Sequence, residues 1–320
     1  MQKNFIKIII SAVIVFCVST AILTAETQGF NTHSINIIQL TDVHVDTKTK
    51  TYSKRMLKES VNLFKDAVWQ INNLKDIDLV VFSGDAINRS SKHDFLKFLE
   101  IANKLKVKWL YAPGNHDSVM TESLSKSEIK KHFDINLPES NKNYIYYSYV
   151  PDSDNKFLLI FMDGVIRKKI TANGYFPDFE LKWLDNQLKT NPDKKVVIIQ
   201  HYPLIEPYKS SSHYVLNTEE YFKVIDKYPN VIAVLSGHYH AAKITQRKNT
   251  VHISTPALVE YPNAFRLIKI KSAGNKTEFD IKLIETNLKK IQEKSKKYSG
   301  STDLEAGRPQ DRNSLIIIKK

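Results

Sequence analysis

The stretch Ile35-Asn36-Ile37-Ile38-Gln39-Leu40-Thr41-Asp42-Val43-His44 decides the fold. Its first six residues form a mostly apolar run of strand length, which ends in a carboxylate and an imidazole two residues apart. The same grammar recurs downstream. A run at 79–82 leads to Gly84-Asp85, one at 107–111 to Gly114-Asn115-His116-Asp117, one at 196–199 to Gln200-His201, and one at 231–235 to Gly237-His238-Tyr239-His240. Every candidate ligand therefore stands just past the carboxyl end of a predicted strand, the edge along which open α/β sheets bind ligands.

Between the first three strands the pattern turns helical, at 52–74 and 93–105, which gives a βαβαβ order and a largely parallel sheet. A helix at 127–133, strands at 144–149 and 157–162 and a helix at 179–188 follow. Beyond 231–235 the alternation gives way to strands at 243–246, 251–254, 264–270 and 278–284. Two sheets packed face to face accommodate both halves. The expected fold is α/β, a four-layer αββα sandwich of two mixed sheets flanked by helices.

Carboxylate, amide oxygen and imidazole suit Mn, Fe or Zn ions, and no cysteine stands among the motifs. Two divalent ions about 3.5–4 Å apart need a shared ligand. A carboxylate can bridge and a neutral imidazole cannot, so Asp85, the lone acid of its motif, is the bridging candidate. An extended backbone would turn Asp42 and His44 to one side, and His238 and His240 likewise. His33, His93, His132, His213 and His252 lack such company and read as surface or core residues. His213 ends a polar stretch, 209–213, that could loop over the site.

Five blocks in this order resemble the calcineurin-like metallophosphoesterase superfamily, whose pattern is D-x-H, G-D, G-N-H-[DE], H and G-H-x-H. The nearest pattern within it is that of the class III cyclic-nucleotide phosphodiesterases. The resemblance implies one metal held by Asp42, His44, Asp85 and His240, and a second held by Asp85, Asn115, His201 and His238. It implies a metal-bridging hydroxide that attacks phosphorus in line, with His116 protonating the leaving oxygen, Asp117 orienting His116, and Asn115 also near the substrate. Arg89, four residues after Asp85, matches a phosphate-binding arginine of protein-phosphatase relatives or is a surface charge at a helix entry. Tyr202 and Tyr239 either wall the substrate pocket or pack beneath the loops. Purple acid phosphatases carry a tyrosine ligand three residues after the bridging aspartate; Asn88 stands there and sets that branch aside. The implied activity is hydrolysis of a small phosphate ester, a phosphodiester such as a 3′,5′-cyclic nucleotide. The alternatives are an exported phosphomonoesterase or nucleotidase of the same fold, and a metal-binding scaffold without catalysis.

The ends differ from the middle. Lys3 and Lys7 precede a mostly apolar run at 8–18, and Ser19, Ala21 and Ala25 follow, which is the pattern of a signal peptide over 1–25 and of export. An uncleaved membrane anchor is the alternative, because 8–25 approaches the roughly 20 residues of a spanning helix. Cys17 is the sole cysteine, so a processed chain has no disulfide. The catalytic domain is expected over 30–285 and a basic, partly disordered tail over 286–320, whose apolar run 315–318 either adds an edge strand or stays disordered. A net charge of +13, with Lys289, Lys290, Lys294, Lys296 and Lys297 crowded together, favours anionic partners: the phosphate ester itself, and nucleic acid or an anionic membrane through the tail. Hydrophobic content of 42% excludes wholesale disorder.

Overall fold

The computed structural model describes residues 31–118, 124–133, 143–166, 170–300 and 302–319; the expected signal segment 1–25 lies outside them. The first motif strand is β1 (Thr32–Leu40), followed by α1 (Ser60–Asn73), β2 (Leu79–Ser83), α2 (Lys92–Ala102) and β3 (Trp109–Ala112). Then come α3 (Lys126–Lys130), β4 (Tyr147–Tyr149), β5 (Phe157–Phe161), α4 (Asp178–Thr190), β6 (Lys195–Ile199), α5 (Thr218–Ile225) and β7 (Val231–Ser236). The remainder comprises β8 (Lys243–Arg247), β9 (Thr250–Ser254), β10 (Ala264–Ala273), β11 (Lys276–Glu285), α6 (Lys289–Tyr298), α7 (Thr302–Ala306), α8 (Pro309–Arg312) and β12 (Ser314–Lys319).

One sheet runs β12-β11-β10-β1-β2-β3 and the other β4-β5-β6-β7-β9-β8. Both are mixed: β1, β2 and β3 pair in parallel, as do β5, β6, β7 and β9, while the outer partners are antiparallel. β2 and β7 are buried throughout, and β1, β3 and β6 over the residues that lead into their motifs, because both faces are covered, which explains why they read as continuous apolar runs. Leu63, Phe64 and Phe98 of α1 and α2 pack with Phe82 on one face of the first sheet. Ile37, Val81, Phe161, Val197 and Ile268 fill the space between the sheets, and Leu184 and Tyr221 pack with Ile160 and Ile198 beyond the second. Helix, sheet, sheet, helix: the four-layer αββα sandwich is present.

Two expectations are corrected. The helix predicted over 52–74 starts at Ser60 after a 3₁₀ turn at Leu57–Glu59. Residues before it are drawn away from helical geometry by tertiary contacts: Met56 is buried and its N–H donates to the Val259 carbonyl at 2.7 Å, and Arg55 pairs with Glu260. The segment 286–320, expected to be partly disordered, is instead α6, α7, α8 and β12 over its described residues. β12 adds the edge strand, antiparallel to β11, with Ile316 opposite Phe279 and Ile318 opposite Thr277. The fully buried Arg266 fastens what precedes it, donating to the carbonyls of Ser254 at 3.2 Å, Asp311 at 2.7 Å and Arg312 at 3.2 Å. The lysines stay solvated because α6 turns Gln292 and Ser295 inward and leaves Lys289, Lys290, Lys296 and Lys297 exposed.

Asp163 beyond β5 is buried against Lys126, whose Nζ lies 2.5 and 2.7 Å from its two oxygens, and it also accepts the Ile145 and Val165 N–H groups. Lys126→Met would leave that carboxylate without its cation. The expected cost is about 3–5 kcal/mol, read as a lower midpoint in urea unfolding; an unchanged midpoint contradicts it.

Candidate metal centre

The five motif loops meet at the carboxyl edge of the two sheets. β1 and β2 remain hydrogen-bonded past their ends: Asp42 N–H donates to Gly84 O at 3.0 Å, His44 N–H to Asp85 O at 2.9 Å and Val45 N–H to Ala86 O at 3.0 Å. The expected extended backbone is not what aims the side chains. Asp42, His44, Asp85, His238 and His240 all have positive φ, between 43° and 69°. A non-glycine residue in that region costs on the order of 1–3 kcal/mol and persists where its surroundings over-determine it. Five such residues at the meeting edge of the two sheets are strain concentrated on the candidate ligands.

Glycines let the loops close. A Cβ on Gly237 would stand 1.9 Å from Thr41 Oγ1 and 2.4 Å from Asp42 Oδ2, and one on Gly84, whose φ is +97°, would strike the His201 ring at 2.5 Å. Each motif glycine thus brings one block onto another and does more than turn the chain.

Each carboxylate uses one oxygen to brace the loops and turns the other toward imidazoles. Asp42 Oδ2 accepts the Thr41 hydroxyl at 2.7 Å and the His238 N–H at 2.9 Å, while Oδ1 lies 3.0 Å from His240 Nε2, 3.7 Å from His44 Nε2 and 4.0 Å from His201 Nε2. Asp85 Oδ1 accepts the His116 N–H at 2.8 Å, while Oδ2 lies 3.3 Å from His201 Nε2 and 3.6 Å from His44 Nε2. Among the described residues, the ligand atoms of Asp42, His44 and His240, of Asp42, Asp85 and His201, and of His44, Asp85 and His116 form three groups, the atoms within each lying within 4.8 Å of one another.

Electrostatics sort these groups. Burial alone would raise both aspartates, but His240 and His201 beside Asp42, and His201 and His116 beside Asp85, hold the carboxyls below their usual range. Burial opposes charge on His201 and His240; Asp85 and Asp42 nevertheless raise the first to about 9, and Glu260 and Asp42 raise the second to about 9. Burial and then the charge of Arg55 push His44 down to about 3, and burial and His201 hold His238 well below its usual value.

These residues fit a pair of divalent ions. His44 and His240 face each other with Nε2 atoms 3.4 Å apart, and His201 Nε2 and His238 Nδ1 are 3.1 Å apart, each pair beside a carboxylate oxygen. Nitrogens that close repel unless a proton or a cation lies between them. The Asn115 Oδ1 atom is buried with no hydrogen-bond partner, a costly arrangement that a ligating role would relieve. Outer partners set the imidazoles: His201 Nδ1 lies 3.0 Å from the Ser83 carbonyl, and His240 Nδ1 lies 2.7 Å from Glu260 Oε1. Glu260→Gln is expected to weaken divalent binding by about 10–100-fold, measured by titration calorimetry, and unchanged affinity contradicts this supporting role.

One expectation changes here. Asp117 does not orient His116: its buried carboxylate accepts the Ile87 N–H at 3.1 Å and the Gly114 N–H at 2.8 Å, and burial with the Asp85 charge pushes it up to about 7. It stitches the second and third motif loops together. His116 Nδ1 instead lies 2.6 Å from the Asn88 carbonyl. Arg89 stands exposed, and the guanidinium beside His116 is that of Arg55, with Nη1 3.3 Å from Nε2. Tyr202 and Tyr239 are both buried and pack beneath the loops, so the aromatic groups nearer the surface are Tyr208, 36% exposed, and His213, whose ring centroid is 5.1 Å from that of His238. Sequence alone offered no signal for Arg55 or Glu260, which belong to no block; His213 was marked only by the polar stretch around it.

Comparison with known proteins agrees with this geometry. A "Probable glycerophosphodiester phosphodiesterase GpdQ" of Arcobacter nitrofigilis is 28% identical over 214 residues, 65% of this chain and 73% of that protein. A 3′,5′-cyclic-nucleotide phosphodiesterase of Nostoc sp. is 25% identical over 265 residues, 76% of this chain and 90% of that protein. Among solved structures, a dimetal phosphatase from Danio rerio superposes with a TM-score of 0.62 at 16% identity, covering 78% of this chain and 97% of that one, and so shares the fold. The model of one family, calcineurin-like phosphoesterase, matches residues 35–242, a span that holds all five motif blocks and both sheets' motif strands. The chain is thus a member of the calcineurin-like phosphoesterase family, metal-dependent hydrolases with a dinuclear divalent centre.

Proposed function

We propose that the substrate is a small phosphodiester, a 3′,5′-cyclic nucleotide or a similarly compact diester, and that Asp42, His44 and His240 hold one ion and Asn115, His201 and His238 the other, with Asp85 shared. The observation that carries the ligand set is the pairing of four imidazoles around two carboxylate oxygens, Asp42 Oδ1 and Asp85 Oδ2. Support for a diester comes from the relatives' names, which speak of cyclic nucleotides and of glycerophosphodiesters. Bound divalent ions lower the pKa of water and neutralise charge on phosphoryl oxygens. This chain's residues do the rest. In hydrolysis a P–O bond to water forms, the ester P–O bond breaks, and the leaving oxygen must take a proton. His116 is the donor, acting through Nε2, because its Nδ1 is committed to Asn88. Rates on 3′,5′-cyclic nucleotides, bis-aryl phosphodiesters and aryl monoesters test the substrate class; preference for monoesters contradicts it, and stoichiometric metal with no hydrolysis favours the non-catalytic scaffold.

We also propose that the protein acts after export, on the strength of Lys3, Lys7 and the apolar run at 8–18. Mass analysis of the protein from the secreting cell should show loss of the first 21 or 25 residues; an intact N-terminus favours the anchor. An anionic surface as a second partner is supported by the lysine face of α6. Reversing Lys289, Lys290, Lys296 and Lys297 to glutamate tests it through the salt dependence of binding to nucleic acid or anionic vesicles.

A further inference from the structure

One cation reaches the centre that no motif announces. Arg55, in the loop between β1 and α1, donates through Nε to Glu260 Oε1 at 3.3 Å, and its Nη1 lies 3.3 Å from His116 Nε2. The other nitrogen of that ring is committed to the Asn88 carbonyl, so Nε2 is the acceptor for the guanidinium. Neutralising Glu260 does not need this edge: Lys54 Nζ already lies 3.2 Å from Glu260 Oε2. An entering phosphate oxygen is a stronger partner for the guanidinium than a ring nitrogen, since a charge-assisted bond with two ionised partners is the stronger one.

The loop is held from the far end of the chain. Lys54 Nζ also lies 3.0 Å from Oε1 of Glu305, a buried residue of α7 that accepts the Ser299 hydroxyl as well. The Glu305 carbonyl accepts the N–H of Ala242 at 3.0 Å, two residues beyond His240. The C-terminal segment is therefore fastened both to the last motif loop and to Lys54-Arg55.

We propose that Arg55 grips a non-bridging oxygen of the substrate's phosphate and that Glu305, through Lys54 and Glu260, is the positioning residue that aims it. This rests on the phosphodiesterase reading above, which puts the phosphate beside His116. Arg55→Ala should weaken binding of inorganic phosphate to the metal-loaded protein by about 10–100-fold in calorimetry, with metal content unchanged. It should lower kcat/KM for bis(p-nitrophenyl) phosphate by a similar factor, mainly through KM. Arg55→Lys keeps the charge, loses the fork and recovers only part, and added guanidinium ion rescues Arg55→Ala but not the wild type. Glu305→Gln should raise KM about two- to fivefold without changing kcat, and should add nothing in the Arg55→Ala background.

Undiminished phosphate affinity in Arg55→Ala overturns the grip, and independent losses in the double variant overturn the positioning. The two readings fail separately. Phosphate bound through Arg55 by a wild type that cleaves no ester removes the hydrolase and keeps the grip; hydrolysis indifferent to Arg55→Ala does the reverse.

Discussion

Asp85→Asn is expected to leave a folded protein that has lost at least one of two divalent ions and most of its turnover, on the order of 10³-fold in kcat/KM. The carboxylate is fully buried, with Oδ1 on the His116 N–H and Oδ2 facing His201 and His44. An amide keeps the shape and can still accept the N–H. It removes the negative charge that the imidazoles of His201 and His44 stabilise. Metal analysis and kinetics on the same preparation decide the matter. Two ions retained with near-normal turnover would exclude Asp85 as the bridge.

His116→Ala is expected to separate chemistry from metal binding, with kcat down by about 10²–10⁴-fold and both ions kept. The ring is oriented by the Asn88 carbonyl at 2.6 Å, and Asn88 is itself fixed by its side-chain bond to Asp46 at 2.8 Å. Because the role is to protonate a leaving oxygen, the loss should shrink for esters whose leaving group is a weak base, such as p-nitrophenolate, and grow for alkoxides. Equal losses on both, or departure of a metal, contradict the assignment. The same geometry predicts that Asp117→Asn acts on stability more than on turnover, since Asp117 braces the Ile87 and Gly114 N–H groups.

The frame was legible because its chemistry is local. Each metal-site candidate follows a strand buried on both faces, so an uninterrupted apolar run and the polar block after it mark both the sheet and the site. What lies outside the blocks was not legible. Arg55, Glu260 and Glu305 are isolated charges in sequence, 205 residues separating the first two, and only the packed chain brings them into one network. Residues 52–59 have helical periodicity, but tertiary bonds from Met56 and Arg55 override it. The C-terminal segment looked unstructured because α6 buries little beyond Gln292 and Ser295, so its composition is dominated by its solvated face. Its order comes from long-range contacts, β12 on β11 and Arg266 on the carbonyls near α8, which leave no local pattern.

Metal content measured with turnover, before and after chelation, tests the central claim most directly. The paired-imidazole geometry predicts about two divalent ions per chain, hydrolysis of bis(p-nitrophenyl) phosphate that disappears with their removal, and recovery when Mn²⁺ or Zn²⁺ is returned. Full turnover by metal-free protein, or a chain that takes up no divalent ion at all, would contradict it.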